Sequence, residues 1–116
     1  MKLCVDDEWD LPARYRGSDW IYCRDIHTAL SLLRANAGCV THLSLDNDLG
    51  NTEYGHDGQD LVKKLCEYYY ADGCDCWPTE CITIQSRNPV ARKNMTADIS
   101  NPRLCPRPWM LTPELI

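Results

Sequence analysis

The sequence predicts an α/β fold: an open parallel sheet of four to five strands, ordered 2-1-3-4-5, with helices on both faces. Three observations predict it. Short apolar runs (residues 2–5, 20–23, 42–46 and 81–85) alternate with stretches of helical periodicity, the pattern of βαβ units. Carboxylates crowd the ends of the first and third of these runs. In such sheets ligands gather outside the carboxyl ends of the strands, where strand order reverses, and in a 2-1-3-4 order that point lies between strands one and three.

The elements follow in order. Lys2-Leu3-Cys4-Val5 is the first strand and runs into Asp6-Asp7-Glu8. Residues 9–18 hold Pro12 and Gly17 without a helical stripe, so a loop is expected there. Trp20-Ile21-Tyr22-Cys23 is the second strand. Asp25 caps a helix with Ile26, Ala29, Leu30, Leu33 and Ala37 on its apolar face, stopped by Gly38. The third strand leads into a polar loop from Gly50 to Gly58. Asp57 and Asp60 have the spacing of a capping box, for a helix that buries Leu61, Val62, Leu65, Cys66 and Tyr69. A loop from Ala71 to Glu80 brings the chain to strand four, and Asn88-Pro89 starts a helix that runs to Ser100. Prolines at 102, 106, 108 and 113 punctuate the tail, so a last strand around Trp109-Met110-Leu111 must be short and at an edge.

A chain of 116 residues, 44% hydrophobic and 25% charged, suits one soluble domain (1–116) with the Pro-rich tail of residues 101–116 packed on it. Phe is absent, so Trp and Tyr carry the aromatic packing. The net charge of -5 divides into +3 over residues 84–116 and -8 over the rest. That balance argues against general duplex nucleic-acid binding but leaves the C-terminal third able to hold a phosphate. No apolar run is long enough for a membrane span, and Met1-Lys2-Leu3-Cys4-Val5 meets acids at once. Neither a membrane segment nor a signal-peptide core is expected, and the location reads as cytoplasmic with reduced thiols. Among eight cysteines, Cys4 and Cys23 sit in apolar runs and read as buried free thiols. Cys66, Cys74, Cys76 and Cys81 lie closer together in sequence and offer a structural zinc set, although no C-x-x-C knuckle is present. Free thiols are the plainer alternative.

Two carboxylates about 4 Å apart repel by roughly 4 kcal/mol at an effective dielectric near 20. A cluster of Asp6, Asp7 and Asp46 therefore calls for a cation, a shared proton or water between its members, and its oxygens suit Mg²⁺ or Mn²⁺. Ser86 and Asn88 stand where the helix beginning at Pro89 directs its N-terminal dipole, a place for phosphate oxygens, and Asn88 also serves as a plain N-cap. Arg87 and Arg92 could neutralise that phosphate or remain exposed surface arginines. His56, in the loop over the same strand ends, is a candidate general acid or base; a solvated loop histidine is the alternative. His27 and His42 read as surface and structural residues.

At these residues the chain resembles a receiver domain, the flavodoxin-like module of response regulators. Asp6-Asp7 matches the acidic pair after strand one, Asp46 the phosphoacceptor and Ser86 the small hydroxyl residue after strand four. The receiver's lysine after strand five has no counterpart beyond Arg103 and Arg107, and the first receiver helix is degenerate. A closer resemblance is to the cyclic-phosphate processing receiver domains. It runs through Val5-Asp6-Asp7-Glu8, Leu43-Ser44-Leu45-Asp46-Asn47-Asp48-Leu49-Gly50, Gly58-Gln59-Asp60, and Ile82 through Pro89 to Asn94-Met95. It covers about residues 1–100. Many relatives carry His where this chain has Asn47 and Gln85, and neither amide titrates.

The resemblance implies action on cyclic phosphates of nucleotides or RNA ends; joined to the acidic cluster, it reads as a metal-dependent phosphoesterase (2′,3′-cyclic phosphate hydrolysis) with Asp46, His56 and Ser86 as the catalytic candidates. The alternatives are a module that binds such a phosphate without cleaving it, a phosphoacceptor receiver in signalling, and a zinc-stabilised interaction domain.

Overall fold

The structure, a computed structural model, describes residues 1–6, 19–46, 57–85 and 89–113. Its strands are β1 (Lys2–Val5), β2 (Trp20–Cys23), β3 (His42–Leu45), β4 (Cys81–Ile84) and β5 (Leu111–Pro113). The helices are α1 (Ile26–Ala35), α2 (Gly58–Asp72) and α3 (Pro89–Ile99). The sheet runs β2-β1-β3-β4-β5, and every pair in it is parallel.

Strand register decides which side chains are buried together. Leu3 lies beside Leu43, which lies beside Ile82; Val5, Leu45 and Ile84 form the next matching row. Side chains alternate between faces along a strand, so these two rows share one face. All six are buried and join α1 (Ile26, Ala29, Leu30, Leu33), α2 (Leu61, Val62, Leu65, Cys66) and α3 (Met95, Ile99) in one apolar cluster. The other face carries Lys2, Cys4, His42, Ser44, Cys81 and Thr83.

The three described helices all pack on the apolar face, and the segment after β1 lies outside the described residues. Crossover handedness accounts for the shared face. The steps β2→β3, β3→β4 and β4→β5 advance across the sheet in one direction, and right-handed crossovers then place every helix on the same side. The step β1→β2 runs the opposite way, and the expected loop at 9–18 lies outside the described residues.

Local chemistry sets the helix limits. Asp25 accepts from the Thr28 amide at 2.8 Å and the Thr28 hydroxyl at 2.9 Å, capping α1. This helix ends sooner than its apolar spacing suggests. The backbone amide and the side-chain Nδ2 of Asn36 both donate to the Leu32 carbonyl, at 3.0 and 2.8 Å. Ala37 is consequently exposed beyond the helix, and Gly38 takes a left-handed φ of 84° in the following turn. Asp57 and Asp60 form the expected capping box of α2, with each backbone amide donating to the other's carboxylate at 3.0 Å. Gly73, at φ 66°, closes that helix. The edge strand β5 begins two residues later than expected, because Pro108–Met110 takes a 3-10 turn first. No helix among the described residues is long and apolar enough to cross a membrane.

Two residues gain roles that periodicity did not suggest. Trp77, in the loop before β4, is 1% exposed and belongs to the core. Arg107 ties the tail to that same loop by bonding Asp75 at 2.9 Å.

Candidate functional site at the carboxyl edge of the sheet

The sheet ladder continues one residue past three neighbouring strands. Asp6 donates its backbone amide to Cys23 O at 2.9 Å, Asp46 to Val5 O at 3.0 Å, and Gln85 to Leu45 O at 2.8 Å. Because Val5 pairs with Leu45 and Leu45 with Ile84, Asp6, Asp46 and Gln85 form the next row, on strands spaced about 4.8 Å apart. By alternation they belong to the face of Cys4, Ser44 and Thr83. Gln85 bears this out: its Nε2 donates to Ser44 Oγ and contacts Cys4 Sγ at 3.7 Å.

Asp6 is 5% exposed and Asp46 half-buried. A nearly dehydrated carboxylate next to a second one is an oxygen-rich, electronegative setting. The Cys4 thiol beneath them registers it. Burial is the main cause that pushes this thiol up to about 11, and the charges of Asp6 and Asp46 add to the shift, while the Gln85 hydrogen bond opposes it. Such hard oxygen donors suit Mg²⁺ or Mn²⁺ and not a soft ion.

The starts of α2 and α3 follow β3 and β4, so both helix N-termini open on this edge and favour an anion there. Arg92, half-buried in the first turn of α3, stands on the same edge. Burial raises the Asp57 carboxyl above its usual range at the α2 start. Of the expected site residues, the structure therefore brings Asp6 and Asp46 side by side and sets Arg92 at the same end. Asp7, His56, Ser86, Arg87 and Asn88 lie outside the described residues. Gln85 is the residue that the sequence offered only as a lost histidine. Its signal was the pair of small polar residues, Cys4 and Ser44, facing away from the core in otherwise apolar strands.

The four cysteines proposed for zinc do not converge. Cys66 and Cys76 belong to the core on the helical face, whereas Cys81 points to the opposite face and contacts Thr83 Oγ1 at 3.8 Å. The sheet stands between them. Among the described residues, no group of three or more His, Cys, Asp or Glu is placed to hold a metal ion. His42 is structural: it bonds Thr41 Oγ1 at 2.8 Å and packs edge-on against Trp20. His27 is exposed on α1.

A family model described as the cyclic-phosphate processing receiver domain matches residues 1–101. No curated protein and no solved structure matches the chain. The matched span takes in β1 through α3 and the whole acidic edge, leaving out the tail with Arg107 and β5. Topology, strand-end acids and family model agree, and the chain belongs to the cyclic-phosphate processing receiver domain family.

Proposed function

We propose that this chain is a divalent-metal-dependent phosphoesterase that opens the 2′,3′-cyclic phosphate of a nucleotide or an RNA end. The observation that carries the reading is the nearly dehydrated Asp6 beside Asp46 at the point where strand order reverses. Asp6 and Asp46, with Asp7 assigned from its sequence position, would supply oxygens to Mg²⁺ or Mn²⁺. When bound, such an ion polarises a phosphoryl oxygen and lowers the pKa of water.

The chain's own residues bind and orient. Arg92 and the N-terminus of α3 favour the phosphate charge, and Ser86, Arg87 and Asn88 are assigned by sequence to its oxygens. In the reaction a water oxygen bonds to phosphorus, one ring P–O bond breaks, and the departing ribose oxygen takes up a proton. His56 is assigned the movement of that proton. Incubation with 2′,3′-cyclic nucleotides and Mg²⁺ or Mn²⁺ tests the proposal, with the nucleoside monophosphate expected as product and lost in Asp46→Asn. No product with either metal, or undiminished product from the variant, overturns it.

A second reading, capture of a cyclic or terminal phosphate without cleavage, draws support from Gln85. Its amide cannot titrate, and its Nε2 is engaged by Ser44. Calorimetry that shows binding of an intact cyclic nucleotide without turnover favours this reading over hydrolysis.

A further inference from the structure

The loop that joins α2 to β4 brings two thiols together at the end of the sheet opposite the acidic edge. Cys74 Sγ and Cys76 Sγ are 2.9 Å apart. Cys74 is half-buried and Cys76 buried. We propose that Cys74 and Cys76 form a redox site, a dithiol that closes reversibly into a disulfide by exchange with a low-molecular-weight disulfide of the glutathione class. The inference is independent of the phosphate chemistry.

Two features prepare the pair. A disulfide needs sulfurs about 2.05 Å apart, so closure asks for an approach of less than about 1 Å. The backbone on both sides is already held. The Cys74 amide donates to Tyr68 O at 2.8 Å, and Asp75, between the thiols, accepts from the Trp77 amide at 3.2 Å. Asp75 is also gripped by Arg107 through both terminal nitrogens at 2.9 Å. Cys74 and Cys76 thus stand sulfur to sulfur in a loop whose backbone is fixed on either side.

The order of events follows from access. The half-buried Cys74 attacks as thiolate on one sulfur of the small disulfide, forming a mixed disulfide and releasing one small thiolate. Cys76 then loses its proton and attacks Cys74 Sγ, expelling the second small thiol. Two protein thiols are oxidised by two electrons in all, and one small disulfide is reduced to two thiols. Burial pushes the Cys76 thiol up to about 12, with the Cys74 sulfur adding to the effect. Cys74, the less buried sulfur of the pair, therefore meets the small disulfide first.

The test uses the full chain in a series of reduced and oxidised glutathione buffers, quenched with acid, unfolded, alkylated and mapped by mass spectrometry. The peptide holding residues 74–76 is expected to become lighter by the mass of two hydrogen atoms and to resist alkylation, in buffers where Cys66 and Cys105 still alkylate fully. Cys76→Ser is expected to trap the mixed disulfide on Cys74. If Cys74 and Cys76 both alkylate in buffers where the exposed Cys39 carries glutathione, the proposal is overturned. A stable mixed disulfide on Cys74 in the unaltered chain overturns it as well.

Discussion

Arg107 holds the carboxylate of Asp75 with both terminal nitrogens at 2.9 Å, the two-pronged geometry that a guanidinium makes with a carboxylate. Its Nε donates to Pro78 O at 3.1 Å, and Nη2 also reaches Trp77 O at 3.3 Å. The bond to Asp75 is the main reason the Arg107 pKa is raised. Arg107 is therefore committed to the amino end of β4, so the tail arginine nearest in sequence to a receiver's missing lysine serves packing. Arg107→Ala and Asp75→Ala should each cost about 1–2 kcal/mol, discounted for the partial exposure of the pair. Urea midpoints in a double-mutant cycle check this, with a clear coupling between the two sites expected. Additive losses would show the fork to be idle.

Among the described residues, Trp77 is the largest of the fully buried side chains, and its indole Nε1 is buried without a hydrogen-bond partner there. Trp77→Ala should cost about 3–5 kcal/mol, the range for emptying an aromatic site. Trp77→Phe removes the orphaned donor along with some volume, so its loss should be well under half as large. Thermal unfolding of both variants is the measurement, and equal losses would show that the indole N–H, lost in both, carries the effect rather than volume.

Both residues illustrate where the sequence was legible and where it was not. Alternation of strands and helices, the capping pair Asp57–Asp60 and the adjacency of Asp6 and Asp46 follow from periodicity and local chemistry, which a linear pattern carries. Trp77 and Arg107 acquire their roles from contacts across the fold, between a loop and a proline-rich tail, and no short-range spacing encodes them. The zinc set failed for a related reason. Closeness of Cys66, Cys74, Cys76 and Cys81 in sequence does not reveal that β4 turns Cys81 away from the helical face. Handedness likewise placed α1, α2 and α3 on one side, a property of strand order and not of any single helix.

The two aspartate caps should respond to pH in opposite directions. The Thr28 amide holds Asp25 below the usual carboxylate range. Its stabilising contribution is present above the unfolded-state pKa and is lost as pH falls through the folded value. Burial instead raises Asp57, so its contribution is full below the unfolded pKa and declines as pH rises through the folded one. Asp25→Ala should cost about 1 kcal/mol at pH 7 and less near pH 3. Asp57→Asn keeps the cap without its charge, and should match or exceed the parent's stability at pH 7. Denaturation midpoints at both pH values decide the matter; a marked loss from Asp57→Asn at pH 7 would contradict the assigned direction.

Gln85 offers a direct probe of the proposed chemistry, because its row neighbours are Asp46 and, one strand further, Asp6. Replacing the amide with imidazole by Gln85→His gives the edge a group that titrates near physiological pH, from an unperturbed value of about 6.5. Two carboxylates in the same row favour imidazolium, so the proton should be held to somewhat higher pH. If cyclic phosphodiester opening takes place on this edge, kcat/KM of the variant should acquire a second limb between about pH 6 and 8, beside the one that His56 gives the parent. Ser44→Ala supplies the control, since it releases the Gln85 amide without adding a titrating group and should leave the shape of the profile unchanged. A Gln85→His profile superimposable on the parent's would place the reacting proton away from this row and detach the Asp6–Asp46 pair from the catalytic step.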